Sequence, residues 1–374
     1  MPAPLHAFWQ RISDGIGTEQ LWAQFRADAR ESYQLYSKEV DSTPREGEAG
    51  PARFFRVARG LFWAMVMKLS PGRRILLVAA LATMLFPGLG WHYRSFELQM
   101  PNLILFSVGA LLLLLALELA DRVTLKRDLE IAREIQQWLM PDTTPDVAGV
   151  DLAFANRPAN TVAGDYYDAF FREDRLLLAV ADVAGKSVPA ALLMATLQAS
   201  LRTLAALPGS LVELVGRLNE YACAQNLGGR RFTTAFLAEL EPATGRLIYV
   251  NAGHNWPVLR RSAGSVERLE AGGLPLGIRP GLGYQCGETV LSPGDLLLIF
   301  TDGLVEAENG AEQEFGEARM FDALRALVVE SDVSAGLKRL MAAVDAFVGV
   351  TRQHDDITCL VLRKHAAARA GGAA

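Results

Sequence analysis

An α+β domain of stacked sheets and helices, preceded by a two-helix transmembrane hairpin and a linker helix, is the fold this sequence predicts. Three observations predict it. Two apolar runs, Ile75 to Trp91 and Leu103 to Leu117, stand close together in the first third of the chain. A charged segment at helical spacing follows them and stops at Pro141. Beyond it, strand-like and helix-like segments come in blocks, without the alternation a βαβ repeat would give.

Each apolar run is near the lower limit of about 17 residues for a spanning helix, and Pro87 and Gly88 interrupt the first. Either alone would read as a buried core helix. As a pair, separated by a short polar stretch with His92, Arg94 and Glu97, they read as a hairpin. Lys68, Arg73 and Arg74 precede the first run, and Arg122, Lys126 and Arg127 follow the second. Between the runs the lysine and arginine content is Arg94 alone, so both ends are expected in the cytoplasm. The runs begin too far from Met1 for a cleaved signal sequence. The expected location is the inner (cytoplasmic) membrane, multi-pass.

Just upstream, Phe54 to Lys68 mixes Arg56, Arg59 and Lys68 with large apolar residues. It fits a helix lying on a membrane surface, and equally a helix covering a small core. Downstream, Leu125, Leu129, Ala132, Gln136 and Leu139 recur at intervals of three and four. Such a seam suits a homodimer through the linker helix or packing on the following domain.

In that domain Val150–Ala155, Arg175–Val183, Thr234–Leu240, Arg246–Asn251, Asp295–Thr301 and Ile357–Arg363 read as strands. Pro189–Leu207, Ser210–Gln225, Ala318–Leu327 and Ser334–Phe347 read as helices. The expected divisions are 1–70, an N-terminal juxtamembrane segment; 71–120, two transmembrane helices; 121–141, the linker helix; 142–365, the mixed domain; and 366–374, a tail.

Totals narrow the function. The chain has 374 residues, is 51% hydrophobic and has a formal net charge of -5. Its charges are mixed along the sequence, which gives no basis for a nucleic-acid partner. Cys223, Cys286 and Cys359 are widely spaced, so neither a zinc site nor a disulfide framework is expected.

The aspartates carry the chemistry. Asp165 follows Gly164; Asp182 closes the apolar strand Leu-Leu-Leu-Ala-Val-Ala-Asp; Asp302 closes Leu-Leu-Leu-Ile-Phe-Thr-Asp-Gly; Asp355 and Asp356 open Asp-Asp-Ile-Thr-Cys-Leu-Val-Leu. One such carboxylate would read as a turn or helix cap. Several converging at strand ends would repel one another, and hard divalent cations with oxygen ligands relieve that repulsion. This is the requirement of a two-metal hydrolytic site.

These segments resemble the metal-dependent PPM-type serine/threonine phosphatases (the protein phosphatase 2C superfamily), in the bacterial branch of the stage II sporulation and sigma-factor-regulating phosphatases. The matching stretches run in order. They are Ala-Arg-Glu-Ile-Gln-Gln-Trp-Leu-Met-Pro from Ala132, Gly-Asp-Tyr-Tyr-Asp from Gly164, and Ala-Asp-Val-Ala-Gly-Lys from Ala181. Phe-Thr-Thr-Ala-Phe follows from Phe232, then Asn-Ala-Gly-His-Asn from Asn251, Leu-Pro-Leu-Gly-Ile from Leu274, Thr-Asp-Gly from Thr301 and Asp-Asp-Ile-Thr from Asp355.

The resemblance implies an α-β-β-α sandwich with two manganese or magnesium ions between its sheets. It implies that Asp182 bridges both metals with the Val183 carbonyl, that Asp302 and Asp355 hold one, and that Asp165 supports the other directly or through water. Asp356 competes with its neighbour Asp355 for that role. The implied activity is hydrolysis of phosphoserine or phosphothreonine on a regulatory protein, such as an anti-sigma-factor antagonist. Three positions depart from the pattern: Thr161 and Ala163 stand where the branch often has Glu and Gly, and Ala184 where eukaryotic members have His. They leave the proton donor for the leaving oxygen open, with Lys186 and His254 as polar neighbours. They also motivate the alternative of a non-catalytic binding protein with this fold. A receptor sensing through His92 to Asn102 is disfavoured, because that loop is short.

Overall fold

In a computed structural model the chain is described over residues 50–85, 92–93, 96–97, 100–225, 231–327 and 332–365. It divides into two compact units, Met1–Thr124 and Leu125–Ala374.

In the first unit, helix α1 (Gly50–Lys68) is followed after two residues by α2 (Pro71–Leu85). Helix α1 has no acidic residue. It exposes Phe55, Phe62, Trp63, Met65 and Met67 while burying Val66. The Arg74 guanidinium donates to the carbonyls of Met67 and Leu69, which lack helical partners at the end of α1. Short antiparallel strands β1 (His92–Tyr93) and β2 (Phe96–Glu97) precede helix α3 (Met100–Leu139). Small residues let α2 and α3 approach: Ala80 and Ala110 are buried, and the Thr83 and Ser107 hydroxyls are 2.5 Å apart. Arg73 pairs with Asp121 at 2.5 Å and with Glu118 at 3.5 Å.

The expected linker helix and second apolar run are one continuous helix of 40 residues. Its stretch from Ile104 is long and apolar enough to cross a membrane. Helix α2 has 15 residues, too few for the roughly 30 Å of a bilayer core at 1.5 Å per residue. The rest of its apolar run, including Pro87 and Gly88, lies outside the described residues, as do residues 1–49 and the tail 366–374.

The second unit has four layers. One sheet takes the order β10-β7-β6-β5-β4, with β11 also on β7; the other takes β3-β13-β12-β8-β9. The strands are β3 (Val150–Arg157), β4 (Tyr166–Arg172), β5 (Arg175–Val183), β6 (Thr233–Leu240), β7 (Arg246–Ala252), β8 (Val258–Arg260), β9 (Val266–Arg268), β10 (Gly272–Gly273), β11 (Gly287–Val290), β12 (Leu296–Phe300) and β13 (Ile357–Lys364). Strand β4 was not expected: in its Tyr-Tyr-Asp-Ala-Phe-Phe-Arg run the charged Asp168 is buried and the apolar Phe171 is exposed, so no apolar-in, polar-out alternation announces it. Strands β8 to β11 have two to four residues each and fall below the length at which a pattern is readable.

Helices α4 (Val188–Ala205) and α5 (Leu211–Ala224) cover one sheet; α6 (Gly316–Leu327) and α7 (Val333–Val348) cover the other. Helix α5 begins with a complete capping box between Ser210 and Glu213. Alternation along each strand sorts the core. Leu177, Ala179 and Ala181 of β5 meet Met194, Leu201 and Leu214 of the helices. Leu176, Leu178 and Val180 meet Leu297, Ile299 and Leu360 of the opposite sheet. Each fully buried leucine contributes about 1.5–3 kcal/mol. Helix α4 also has the length and apolarity of a spanning segment. Its buried Ala190, Met194, Leu201 and Ala205 identify it as a core helix.

Candidate active site

The layer between the sheets is apolar for most of its depth and turns polar at one end. On β5 the inward row Leu176, Leu178, Val180 continues to Asp182. On β6 the row Leu240, Ala238, Phe236 continues to Thr234, which is cross-strand from Asp182. On β12, Leu297 and Ile299 lead to Thr301, and on β13 Leu362 and Leu360 lead to Thr358 and Asp356. Period-two alternation makes a row change from aliphatic to polar without a break in the strand.

Asp165 lies deepest. It is 1% exposed, and Thr301 Oγ1 donates to its Oδ2 at 2.9 Å, joining the two sheets. The Thr301 hydroxyl in turn accepts from the Thr358 amide at 2.9 Å. Burial, then the Asp182 charge, pushes the Asp165 carboxyl well above the usual carboxylate range.

Asp182 stands above it at the mouth. Burial raises its pKa to about 7, reinforced by Asp302, Asp355 and Asp356; Lys186 opposes the shift. Asp302 opens a 3-10 turn (Asp302–Leu304) and is also raised, by burial and then by Asp355. Gly303 is required in that turn, since a Cβ there would collide with the Asp356 carbonyl.

The adjacent aspartates divide their tasks. Asp356 accepts from the Ala159 amide at 2.7 Å and from the Gly164 amide at 2.6 Å, one with each oxygen. It braces the loop that presents Asp165. Asp355 Oδ2 faces Lys186 Nζ at 3.3 Å, while that ammonium donates to the His354 carbonyl at 2.8 Å.

Among the described residues no group of three His, Cys, Asp or Glu side chains closes as a finished metal cage. The donor chemistry does fit hard divalent ions: the facing atoms are oxygens, and four carboxylates are set against one lysine. Gly164 keeps this cradle open. A Cβ at Gly164 would stand 3.1 Å from the Val183 carbonyl oxygen and 3.8 Å from Asp182 Oδ1.

The remaining residues singled out from the sequence have other surroundings. His254 is buried, and Asn251 brackets its backbone at 2.7 and 3.0 Å. Its Nδ1 is 3.0 Å from Thr234 Oγ1, and burial lowers its pKa to about 4. It is therefore a neutral group beneath the mouth. The Ala184 amide donates to the Phe232 carbonyl at 3.0 Å, extending the β5–β6 ladder past Asp182.

Gln136 of α3 occupies the seam position between Ala132 and Leu139. It is buried and grips Ala163 at both backbone groups, donating to the carbonyl at 2.7 Å and accepting from the amide at 2.9 Å. A glutamine at a seam position was the available signal, but its partner, 27 residues away, was not.

Four layers with aspartates at the mouth between the sheets define a phosphatase fold of the PP2C type. The solved SiaA-PP2C domain of Pseudomonas aeruginosa shares it, with a TM-score of 0.57 at 23% identity over 65% of this chain and 98% of that one. The model for stage II sporulation protein E (SpoIIE) matches residues 172–365, and the chain belongs to that family. Phosphoserine phosphatase RsbU of Bacillus subtilis (strain 168) is 29% identical over 249 residues, which is 64% of this chain and 71% of RsbU. Protein IcfG of Synechocystis sp. is 26% identical over 293 residues, 71% of this chain and 45% of IcfG. The chain thus spans less than half of IcfG.

Proposed function

We propose that this protein is a membrane-tethered, divalent-metal-dependent phosphatase that removes phosphate from phosphoserine or phosphothreonine on a regulatory protein. The observation that supports this reading best is the mutual charge burden of Asp182, Asp302 and Asp355 at the open end of the sandwich. Asp182 and Asp302, held above the usual carboxylate range by burial and then by neighbouring carboxylates, would be destabilising unless a cation is bound. In this reading Asp182, with the Val183 carbonyl, would face two ions; Asp302 and Asp355 would hold one, and Asp165 would support the other from below. Manganese or magnesium bound there supplies an activated water and neutralises phosphoryl charge. Asp356 keeps the Gly164 loop in register, and Lys186 holds Asp355 toward the mouth. RsbU is a phosphoserine phosphatase by name. A phosphorylated regulator such as an anti-sigma-factor antagonist is the substrate class we infer by that likeness.

The tether would be the apolar pair at 71–120, with the phosphatase domain at 142–365 in the cytoplasm. The segment at 121–141 would carry control. Gln136 holds Ala163, next to the glycine on which the Asp182 cradle depends. A change in α3, by rotation or by pairing with a second copy, would be felt at Asp165 and Asp182 through that amide clamp. The test is hydrolysis of para-nitrophenyl phosphate by the full-length protein in detergent, with and without manganese, beside Asp182→Asn. Manganese-dependent turnover that vanishes in the variant is expected. Equal turnover by both proteins would exclude the site, and none by folded wild type would favour the binding-only alternative.

A further inference from the structure

The mouth has two unlike sides. One side carries Glu306, Glu308 and Glu314 in the same cavity as Lys186 and Asp355. An anionic phosphate-bearing segment is repelled by that wall. The other side is largely apolar, with the Arg231 guanidinium beside Gly185 as a cation. Phe232 is cross-strand from Ala184, two residues beyond Asp182, and belongs to the same inward row as Thr234. Val188 follows Lys186 by two residues at the start of α4, and Leu192 lies one turn further on. Ile278 follows Leu276, which exchanges both backbone hydrogen bonds with Thr233. Leu192 is 64%, Ile278 49%, Phe232 41% and Val188 39% exposed. The inner face of α4 is already filled by Ala190, Met194, Leu201 and Ala205, so packing of the sandwich does not call for these side chains. Beside them a mainly apolar cleft is lined by Leu193 and Leu197 of α4, Leu218 and Ala222 of α5, and Leu276, with Arg231 at its wall.

We propose that this band, Val188, Leu192, Phe232 and Ile278, seats the polypeptide that carries the phosphoserine, and that it selects substrates with large aliphatic residues beside the phosphorylated one. The inference rests on the phosphatase reading. Its occupant follows from position: a phosphoserine presented to Asp182 brings its flanking chain over this rim, and the acidic wall leaves the apolar side as the favourable resting surface. Burying a few aliphatic groups there gives specificity that the phosphate, common to every substrate, does not supply.

The test uses full-length protein in detergent with manganese and three substrates: a phosphoserine peptide flanked by leucines, one flanked by serine and glycine, and para-nitrophenyl phosphate. The wild type should favour the leucine-flanked peptide by about tenfold in kcat/KM, mostly through KM. The Leu192→Gln/Ile278→Gln variant changes two exposed side chains and should keep its turnover of para-nitrophenyl phosphate while losing that preference. Equal use of both peptides by the wild type would overturn the proposal, and so would a preference unchanged in the variant. Failure to hydrolyse para-nitrophenyl phosphate at all would remove the phosphatase reading and this inference with it.

Discussion

Asp168, fully buried, and Asp182, half-buried, are carboxylates on neighbouring strands of one sheet, yet their surroundings are opposite. Asp168 is fully buried and completely answered. Arg202 donates to both its oxygens at 2.7 Å, the Tyr166 hydroxyl at 2.6 Å and the Ala169 amide at 2.8 Å. Arg202 also lies 3.9 Å over the Phe170 ring. Asp182 faces Asp302, Asp355 and Asp356, with Lys186 as the opposing charge. A buried carboxylate matched by a bidentate arginine holds strands and helix together. A half-buried carboxylate facing other carboxylates costs stability, and its persistence points to a ligand.

The contrast can be broken from either side. The largest effect is expected from Asp182→Asn, which should lower manganese-dependent turnover by about 10³-fold, the loss typical of removing a preorganised charge-stabilising group. The metal-free variant should melt no lower than wild type, because the substitution relieves repulsion; differential scanning calorimetry checks this. Arg202→Ala should do the reverse. It strands Asp168 and should cost about 3–5 kcal/mol in denaturant unfolding, while turnover per folded molecule stays near that of wild type.

The next effect concerns the loop between β3 and β4, which Gln136 grips at Ala163. Gln136→Ala should raise the manganese concentration for half-maximal activity by about tenfold, the scale of losing an outer support of a metal ligand. An unchanged metal requirement would remove Gln136 from the control of the site.

The smallest effect is in pH. With its folded pKa raised to about 7, native metal-free Asp182 keeps a proton that the unfolded chain has already released above about pH 4. Its contribution therefore becomes less favourable as pH rises from 4 to 7. Asp182→Asn should stabilise the metal-free protein more at pH 8 than at pH 5. Taking the difference between the two proteins cancels the opposite dependence of His254, whose lowered pKa weakens the fold as pH falls below 6.5.

Much of this was legible in the sequence because strand periodicity places residues without knowledge of contacts. The aliphatic rows before Asp182 and Asp302 required both to stand at strand ends, and both do. Asp168 lies three residues from Asp165 in the same motif, and no local pattern separates them. Only Arg202, 34 residues away, does so. Asp355 and Asp356 are likewise adjacent in sequence, and the difference in their surroundings comes from two distant amides on the oxygens of Asp356. The continuity of apolar run and linker was legible too: nothing from Glu118 onward breaks a helix, and α3 runs from Met100 to Leu139.

The most direct test of the central claim is calorimetric titration of manganese into the full-length protein in detergent, at pH 6 and pH 8. Binding is expected at pH 8, weaker binding at pH 6 because protons compete for Asp182, and none in Asp182→Asn. Equal heats from wild type and variant, or no binding at either pH, would contradict it.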